Sequence, residues 1–151
     1  RKVYNPALPN PVLHLTSREF CQHAAGVYAA NGVQPHILPP DSRRFIPTPE
    51  LSFTIRYLRA HGGLNMTASH NPPTDNAVKV YWAGGVQVLP PHDRGIIGKV
   101  MTADAVHRSD FDAGVADGRV RFVEEEVDAA FVAAVLEQAG VIVATSARLR
   151  S

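Results

Sequence analysis

An α/β fold, a three-layer α/β/α sandwich around a mixed sheet, is what the amino-acid sequence predicts, and three observations carry it. Strand-like and helix-like segments alternate from the first apolar stretch onward. Turn-forming Gly, Asn and Pro residues punctuate these segments at short intervals. A hairpin signal at Trp82-Ala83-Gly84-Gly85 breaks an otherwise parallel pattern, so the sheet is expected to be mixed.

In chain order, residues 1–15 carry Pro6, Pro9 and Pro11 and read as an irregular lead-in, with a short strand at 12–15. Thr16-Ser17-Arg18-Glu19 has the spacing of a capping box, a hydroxyl followed three residues on by Glu. Phe20, Ala24, Val27 and Tyr28 then recur at helical spacing, and Asn31-Gly32 closes the helix with residues that accept positive φ. Residues 33–38 read as a strand and 39–47 as a loop. Thr48-Pro49 opens a second helix with apolar positions Leu51, Ile55 and Leu58, stopped by Gly62-Gly63. Residues 64–67 form a short strand, and 68–76 a loop kept from helix by Pro72-Pro73.

Residues 77–81 and 86–89 are the expected hairpin strands, 92–101 a helix, 104–118 a polar loop and 127–138 a further helix. The tail from Gly140 reads as a strand with a basic end. This gives a lead-in (1–15), a first domain (16–118) and a connecting helix that begins an incomplete second domain (119–151).

Composition excludes several function classes. Hydrophobic residues make up 45% and charged residues 19%, which is globular usage. Net charge is +1 with no basic run, so neither nucleic acid nor an acidic membrane surface is an expected partner. Residues 129–144 are apolar but interrupted by Glu137 and Gln138, too short to span a bilayer. Cys21 is the only cysteine, which rules out an internal disulfide and a cysteine zinc site and fits a reducing, cytoplasmic location. The chain begins at Arg1 with no initiator Met or signal peptide and reads as a fragment. His14, His23, His36, His61, His92 and His107 are scattered without metal-ligand spacing and read as surface or loop residues. Glu124-Glu125-Glu126 reads as a solvated face ahead of a helix, and Trp82 as packing.

One loop carries chemistry. Ser69 follows a strand end, where sites in α/β folds gather. A serine hydroxyl there can accept and return a phosphoryl group, a transfer that needs positioning and positive charge more than covalent machinery. His70 and Asn71 offer hydrogen bonds to phosphate or sugar oxygens, and Lys79 on the next strand offers charge or a proton. On residue types alone such a loop is a polar turn far more often than a catalytic one.

The wider pattern sharpens this. Gly63-Leu64-Asn65-Met66-Thr67-Ala68-Ser69-His70-Asn71-Pro72-Pro73, followed by Asn76-Ala77-Val78-Lys79-Val80-Tyr81, resembles the signature of the α-D-phosphohexomutases: an apolar strand, T-A-S-H-N-P, then N-G-x-K-x-Y. Ser17-x-x-Phe20, Asn31-Gly32, Pro47-Thr48-Pro49 and Gly84-Gly85-x-Gln87-x-x-Pro90 extend the resemblance over 16–101, the family's first domain. Residues 127–136 resemble the helix leading to its second.

The resemblance implies an intramolecular phosphotransferase, an isomerase of the phosphoglucomutase and phosphomannomutase type. It interconverts hexose or pentose 1-phosphate with the 6- or 5-phosphate, with a sugar bisphosphate as phosphorylating activator. Ser69 would be the phosphoserine, and its phosphate would complete a Mg²⁺ shell. His70 and Lys79 match catalytic positions for proton transfer and for holding the reacting oxygens. Asn71 and Asn76 match substrate-binding and loop-shaping positions.

Departures set expectations too. Val12 and His14 stand where the family has Asp and Arg, and His lacks arginine's permanent bidentate charge. Ala77 replaces a Gly, at a cost of about 1 kcal/mol if the position needs positive φ. The Gly-rich N-terminal element is missing, and so are the D-G-D-x-D-R metal loop, the G-E-x-S sugar loop and the C-terminal phosphate loop. The expectation is a nucleophile-bearing piece, inactive alone. The alternative is a degenerate relative that binds phosphosugars without catalysis. A serine hydrolase fits poorly, because Ser69 lacks the G-x-S-x-G elbow.

Overall fold

A computed structural model describes residues 16–71 and 75–148, those from 141 onward by backbone alone. The lead-in, the 12–15 strand, Val12, His14 and Pro72-Pro73 lie outside the described residues. The order is α1 (Ser17–Ala30), β1 (His36–Ile37), α2 (Thr48–Tyr57), β2 (Gly62–Thr67), β3 (Ala77–Trp82), α3 (His92–Met101), α4 (Phe111–Ala116), β4 (Arg121–Phe122) and α5 (Glu125–Arg148). Helices and strands are mixed as expected of an α/β domain. Among the described residues the strands form two pairs, β1 parallel to β4 and β2 antiparallel to β3.

The capping box forms as read. Thr16 accepts from the Glu19 N–H, and Glu19 returns a bond to the Thr16 N–H. Asn31 caps the C-terminus of α1, and Gly32 follows at φ +76°. One core cluster lies under this helix: Ala25, Ala29 and Val120, with Ile37, Phe111 and Val115 against it. Gly26 is obligatory there, since a Cβ would come within 2.5 Å of the Ser109 carbonyl oxygen.

Several expectations are corrected. The 33–38 strand contracts to His36–Ile37, whose partner is a two-residue strand that the sequence did not announce. Gly62-Gly63 does not stop α2. The helix ends at Tyr57, Arg59 takes the positive φ of 51°, and both glycines enter β2 because they pair with Trp82 and Tyr81. The 86–89 segment is not a full strand but joins the free edge of β3 at the Tyr81–Gln87 bridge, where the Trp82 N–H donates to the Val86 carbonyl at 2.9 Å and the Val88 N–H to the Val80 carbonyl at 2.8 Å, while the other edge of β3 pairs with β2. The 104–118 loop contains α4, capped by the Asp110 carboxylate on the Ala113 N–H. The tail from Gly140 continues α5 as helix to Arg148.

The acidic run before α5 is engaged rather than merely solvated. Ser42 donates to Glu124, Tyr57 donates to Glu126 at 3.0 Å, and Arg44 binds Asp128. Phe53 meets Phe131 at 5.6 Å between ring centroids, so α5 lies on α2. The 39–47 loop is held from the other side. Arg18 donates to the carbonyls of Pro39, Ser42 and Arg44 at 2.8, 2.7 and 3.1 Å. No helix among the described residues is long and apolar enough to cross a membrane.

Candidate functional site

The β2–β3 pair builds the site. In antiparallel register, Gly63, Asn65 and Thr67 stand opposite Tyr81, Lys79 and Ala77 and share one face. α2 covers the lower part of that face: a Cβ on Gly63 would lie 2.7 Å from Ile55 Cδ1 and 3.4 Å from Leu51 Cδ1. Its first residue, Thr48, accepts a hydrogen bond from Asn65 Nδ2 at 3.0 Å. The N-terminus of α2 therefore stops at the Asn65–Lys79 level. The face above it, at Thr67 and Ala77, runs on to the carboxyl end of β2.

Ser69 sits just past that end. Buried Ala68, 3% exposed, anchors the chain before it turns outward. Ser69 adopts φ +54°, a left-handed conformation unusual for a residue with a Cβ. The Thr67 hydroxyl accepts the Ser69 N–H at 3.0 Å, and the Asn71 N–H reaches the Ala68 carbonyl at 2.9 Å. The turn is thus fastened on both sides of an exposed serine, whose Oγ lies 3.4 Å from His70 Nδ1.

The remaining expected residues divide. Asn71 belongs to the turn itself. Asn76 faces away, toward α1: its Nδ2 donates to Ser17 Oγ at 3.2 Å, and its Oδ1 accepts the Ala77 N–H at 3.0 Å. It locks the entry of β3 to the start of α1. Lys79 is half-buried beside Asn65, and among the described residues no carboxylate pairs with it. A half-buried cation without a counter-charge leaves its field to act on an incoming anion. Ala77 is an ordinary strand residue, so its Cβ imposes no left-handed strain; the described residue of this loop with positive φ is Ser69.

Sequence reasoning missed Thr67 and Asn65 as site residues. Their signal was the period-two polar face of β2, masked by the apolar Leu64 and Met66 that alternate with them. Among the described residues no group of three or more His, Cys, Asp or Glu could hold a metal ion. These residues therefore do not by themselves fit a Mg²⁺ site, which wants several oxygen ligands. An open cleft of about 460 Å³ lies elsewhere, between α1 and the start of α4, lined by Glu19, His23 and Arg108 among others. Away from the site, burial pushes the Cys21 thiol up, with the Arg18 charge opposing it in part.

The family described as phosphoglucomutase/phosphomannomutase, alpha/beta/alpha domain I, matches residues 13–107, more than half of the chain. A phosphoglucomutase of Staphylococcus saprophyticus is 34% identical over 136 residues, covering 88% of this chain and 24% of that protein. A phosphoribomutase of Saccharomyces cerevisiae is 42% identical over 80 residues, 53% of this chain and 13% of its own length. A phosphopentomutase of Mus musculus is 39% identical over 90 residues, 60% and 14% respectively. The chain thus spans a quarter or less of the length of these relatives.

Proposed function

This chain belongs to the phosphoglucomutase/phosphomannomutase family, and from that premise we propose that Ser69 is the phosphoryl carrier of a sugar-phosphate mutase. The observation that carries the reading is the Ser69 turn: an exposed hydroxyl at a strand's carboxyl end, held at φ +54° by Thr67 and Ala68. A loop that stores backbone strain at one exposed nucleophile fits a position kept for chemistry.

The P–O bond to Ser69 Oγ breaks as a sugar hydroxyl oxygen bonds to phosphorus. The hydroxyl proton leaves to a base, and Ser69 Oγ becomes the leaving oxygen, taking a proton in turn. His70, 3.4 Å from Oγ, is the described group placed to hand a proton to or from it. Lys79 offsets charge on the phosphoryl group, which carries about −1.5 to −2 on serine at neutral pH. Asn71 keeps the turn closed, and Asn76 fixes the strand that bears Lys79. A bound Mg²⁺ would add Lewis-acid stabilisation of the same charge. Its ligands must come chiefly from residues outside those described, with phosphoserine oxygen as this chain's contribution.

The substrate class is a hexose or pentose monophosphate, with a sugar bisphosphate as the phosphorylating activator. The names of the relatives, a phosphoglucomutase and a phosphopentomutase, support both a hexose and a pentose. Intact-mass analysis of the protein from its native cells tests the reading. A gain of about 80 Da mapped to Ser69 is expected. Phosphate on another residue, or none after incubation with a sugar 1,6-bisphosphate, would count against it. The 151 residues alone are expected to give no sugar 1-phosphate to 6-phosphate turnover in a coupled assay. A second reading, phosphosugar binding without catalysis, draws on the lack of a metal-binding cluster among the described residues. It gains if the sugar phosphate binds but Ser69 never takes up phosphate.

A further inference from the structure

The cleft between α1 and the start of α4 is unused by the phosphoryl chemistry above, and it shares no residue with the Ser69 turn. One wall is a face of α1, where Glu19, Gln22 and His23 stand at i, i+3 and i+4. The other is the segment from Arg108 to Phe111. Its backbone is pinned on both sides of Arg108. Asn31 Nδ2 donates to the His107 carbonyl at 3.1 Å, and the Ser109 N–H and Oγ both donate to the Gly26 carbonyl at 3.1 Å. Phe111 ties the end of the segment to the core cluster under α1. The Arg108 side chain itself has no hydrogen-bond or ion partner among the described residues, and neither have Gln22 and His23. A fixed backbone that carries unengaged donors has less order to lose when a ligand arrives.

The lining selects the ligand. Arg108 offers a guanidinium fork that matches phosphate oxygens in pairs, and His23 adds a ring N–H. A bare anion fits poorly, because the Glu19 and Asp110 carboxylates line the same cleft. A ligand that suits both must carry hydroxyl donors beside its charge. Asp110 spends Oδ1 on the Ala113 N–H and keeps acceptor capacity for such a hydroxyl. The Gln22 amide both donates and accepts. The volume of about 460 Å³ falls within the roughly 300–1,000 Å³ of small-molecule sites. We propose that this cleft binds a monophosphorylated polyol, with Arg108 and His23 on the phosphate and Gln22 and Asp110 on hydroxyl groups. It is a second ligand site, and it stands independently of the role given to Ser69.

Amide NMR titration of the 151-residue chain tests this, with glucose 6-phosphate, inorganic phosphate and glucose as separate probes. Each is carried to about 10 mM, which nearly saturates a site with a dissociation constant of about 1 mM. Glucose 6-phosphate should shift the amides of residues 22, 23 and 108–111 saturably, inorganic phosphate more weakly, and glucose not at all. Arg108→Gln should weaken the glucose 6-phosphate affinity read at these amides about tenfold or more, the loss of a charge-assisted hydrogen bond. Arg108→Lys should weaken it less, since the charge stays and only the fork is lost. Gln22→Leu should weaken glucose 6-phosphate and leave inorganic phosphate unchanged. Among the described residues the Arg108 side chain holds nothing else in place, so its variants should keep the parent spectrum away from the cleft. Lys79→Ala should leave the cleft shifts unchanged, which separates them from any binding at the Ser69 turn. No saturable shift at the cleft, equal affinity for inorganic phosphate and glucose 6-phosphate, or undiminished binding in Arg108→Gln each overturns the proposal. Those outcomes leave the Ser69 reading intact, and a failure to find phosphate on Ser69 leaves the cleft proposal intact.

Discussion

At the scale of the residue, Ser69 sets stability against chemistry. A non-glycine residue at φ +54° costs about 1–2 kcal/mol relative to the right-handed region. Ser69→Gly removes that strain but frees more backbone in the unfolded chain, so a net gain of about 0.5–1 kcal/mol is expected. Thermal melting of the 151-residue chain measures it, and an unchanged or lower Tm would show that the turn is unstrained. The same substitution removes the hydroxyl and should abolish phosphoryl uptake. Cys21 gives the pH counterpart. Burial raises its thiol pKa above the ordinary value of 9.0, so the folded chain holds the proton more tightly than the unfolded one. The stability from this group is complete below pH 9 and is lost as pH rises through the folded value. Alkylation by iodoacetamide at pH 8 should be slower in the folded chain than in urea. Equal rates would mean that the thiol is not desolvated.

At the scale of the element, two arginines fasten the loop that aims α2 at the site. Glu50, with a side chain only 4% exposed, has Arg44 as its charged partner at 3.1 Å. Removing the partner leaves a buried charge, so Arg44→Ala should cost about 3 kcal/mol by urea unfolding. Adding Glu50→Gln should recover a good part of that, and if the two losses simply add, the pair is not coupled. These long-range partners explain what the sequence conceals. The Thr16 capping box and the end of α1 at Asn31 were legible because a cap is a local bargain among four or five residues. The Ser69 loop was legible through its resemblance to a family signature, since its residue types alone fit a polar turn. α4 was not, because six residues with Gly114 in the middle carry little helical signal. β4 was not, because two residues become a strand only when Pro35 and Ile37 accept their neighbours' N–H groups. Gly62-Gly63 looked like a stop on propensity, and tertiary pairing with β3 overrode it. The lefthandedness of Ser69 was likewise invisible, since it depends on the Thr67 hydroxyl and the burial of Ala68 together.

At the scale of the whole molecule, the segment after Gly118 completes the first packing unit rather than hanging from it. Val120 is 3% exposed and sits with Ala25 and Ala29 in the core cluster under α1. Arg121 and Val123 donate to the carbonyls of Pro35 and Ile37, so among the described residues β1 has no ladder partner without them. The start of α5 adds the Arg44–Asp128 and Phe53–Phe131 contacts on α2. A chain ending at Gly118 would lose all of these at once. Burial of one valine is worth about 1.5–3 kcal/mol, and a domain of this size has a net stability of about 5–15 kcal/mol. Losing the valine, the parallel pair and the helix dock together consumes that margin. Residues 1–118 are therefore expected to lack a cooperative melting transition. Val120→Ala in the 151-residue chain should melt cooperatively, with stability lower by about 1–3 kcal/mol. A chain ending at Gly140 keeps Val120, β4, Asp128 and Phe131, and its transition should stay cooperative. Calorimetry of the three chains decides the matter. If residues 1–118 melt as sharply as residues 1–140, the core under α1 closes without Val120, and the Ser69 loop stands on a smaller unit than the packing implies.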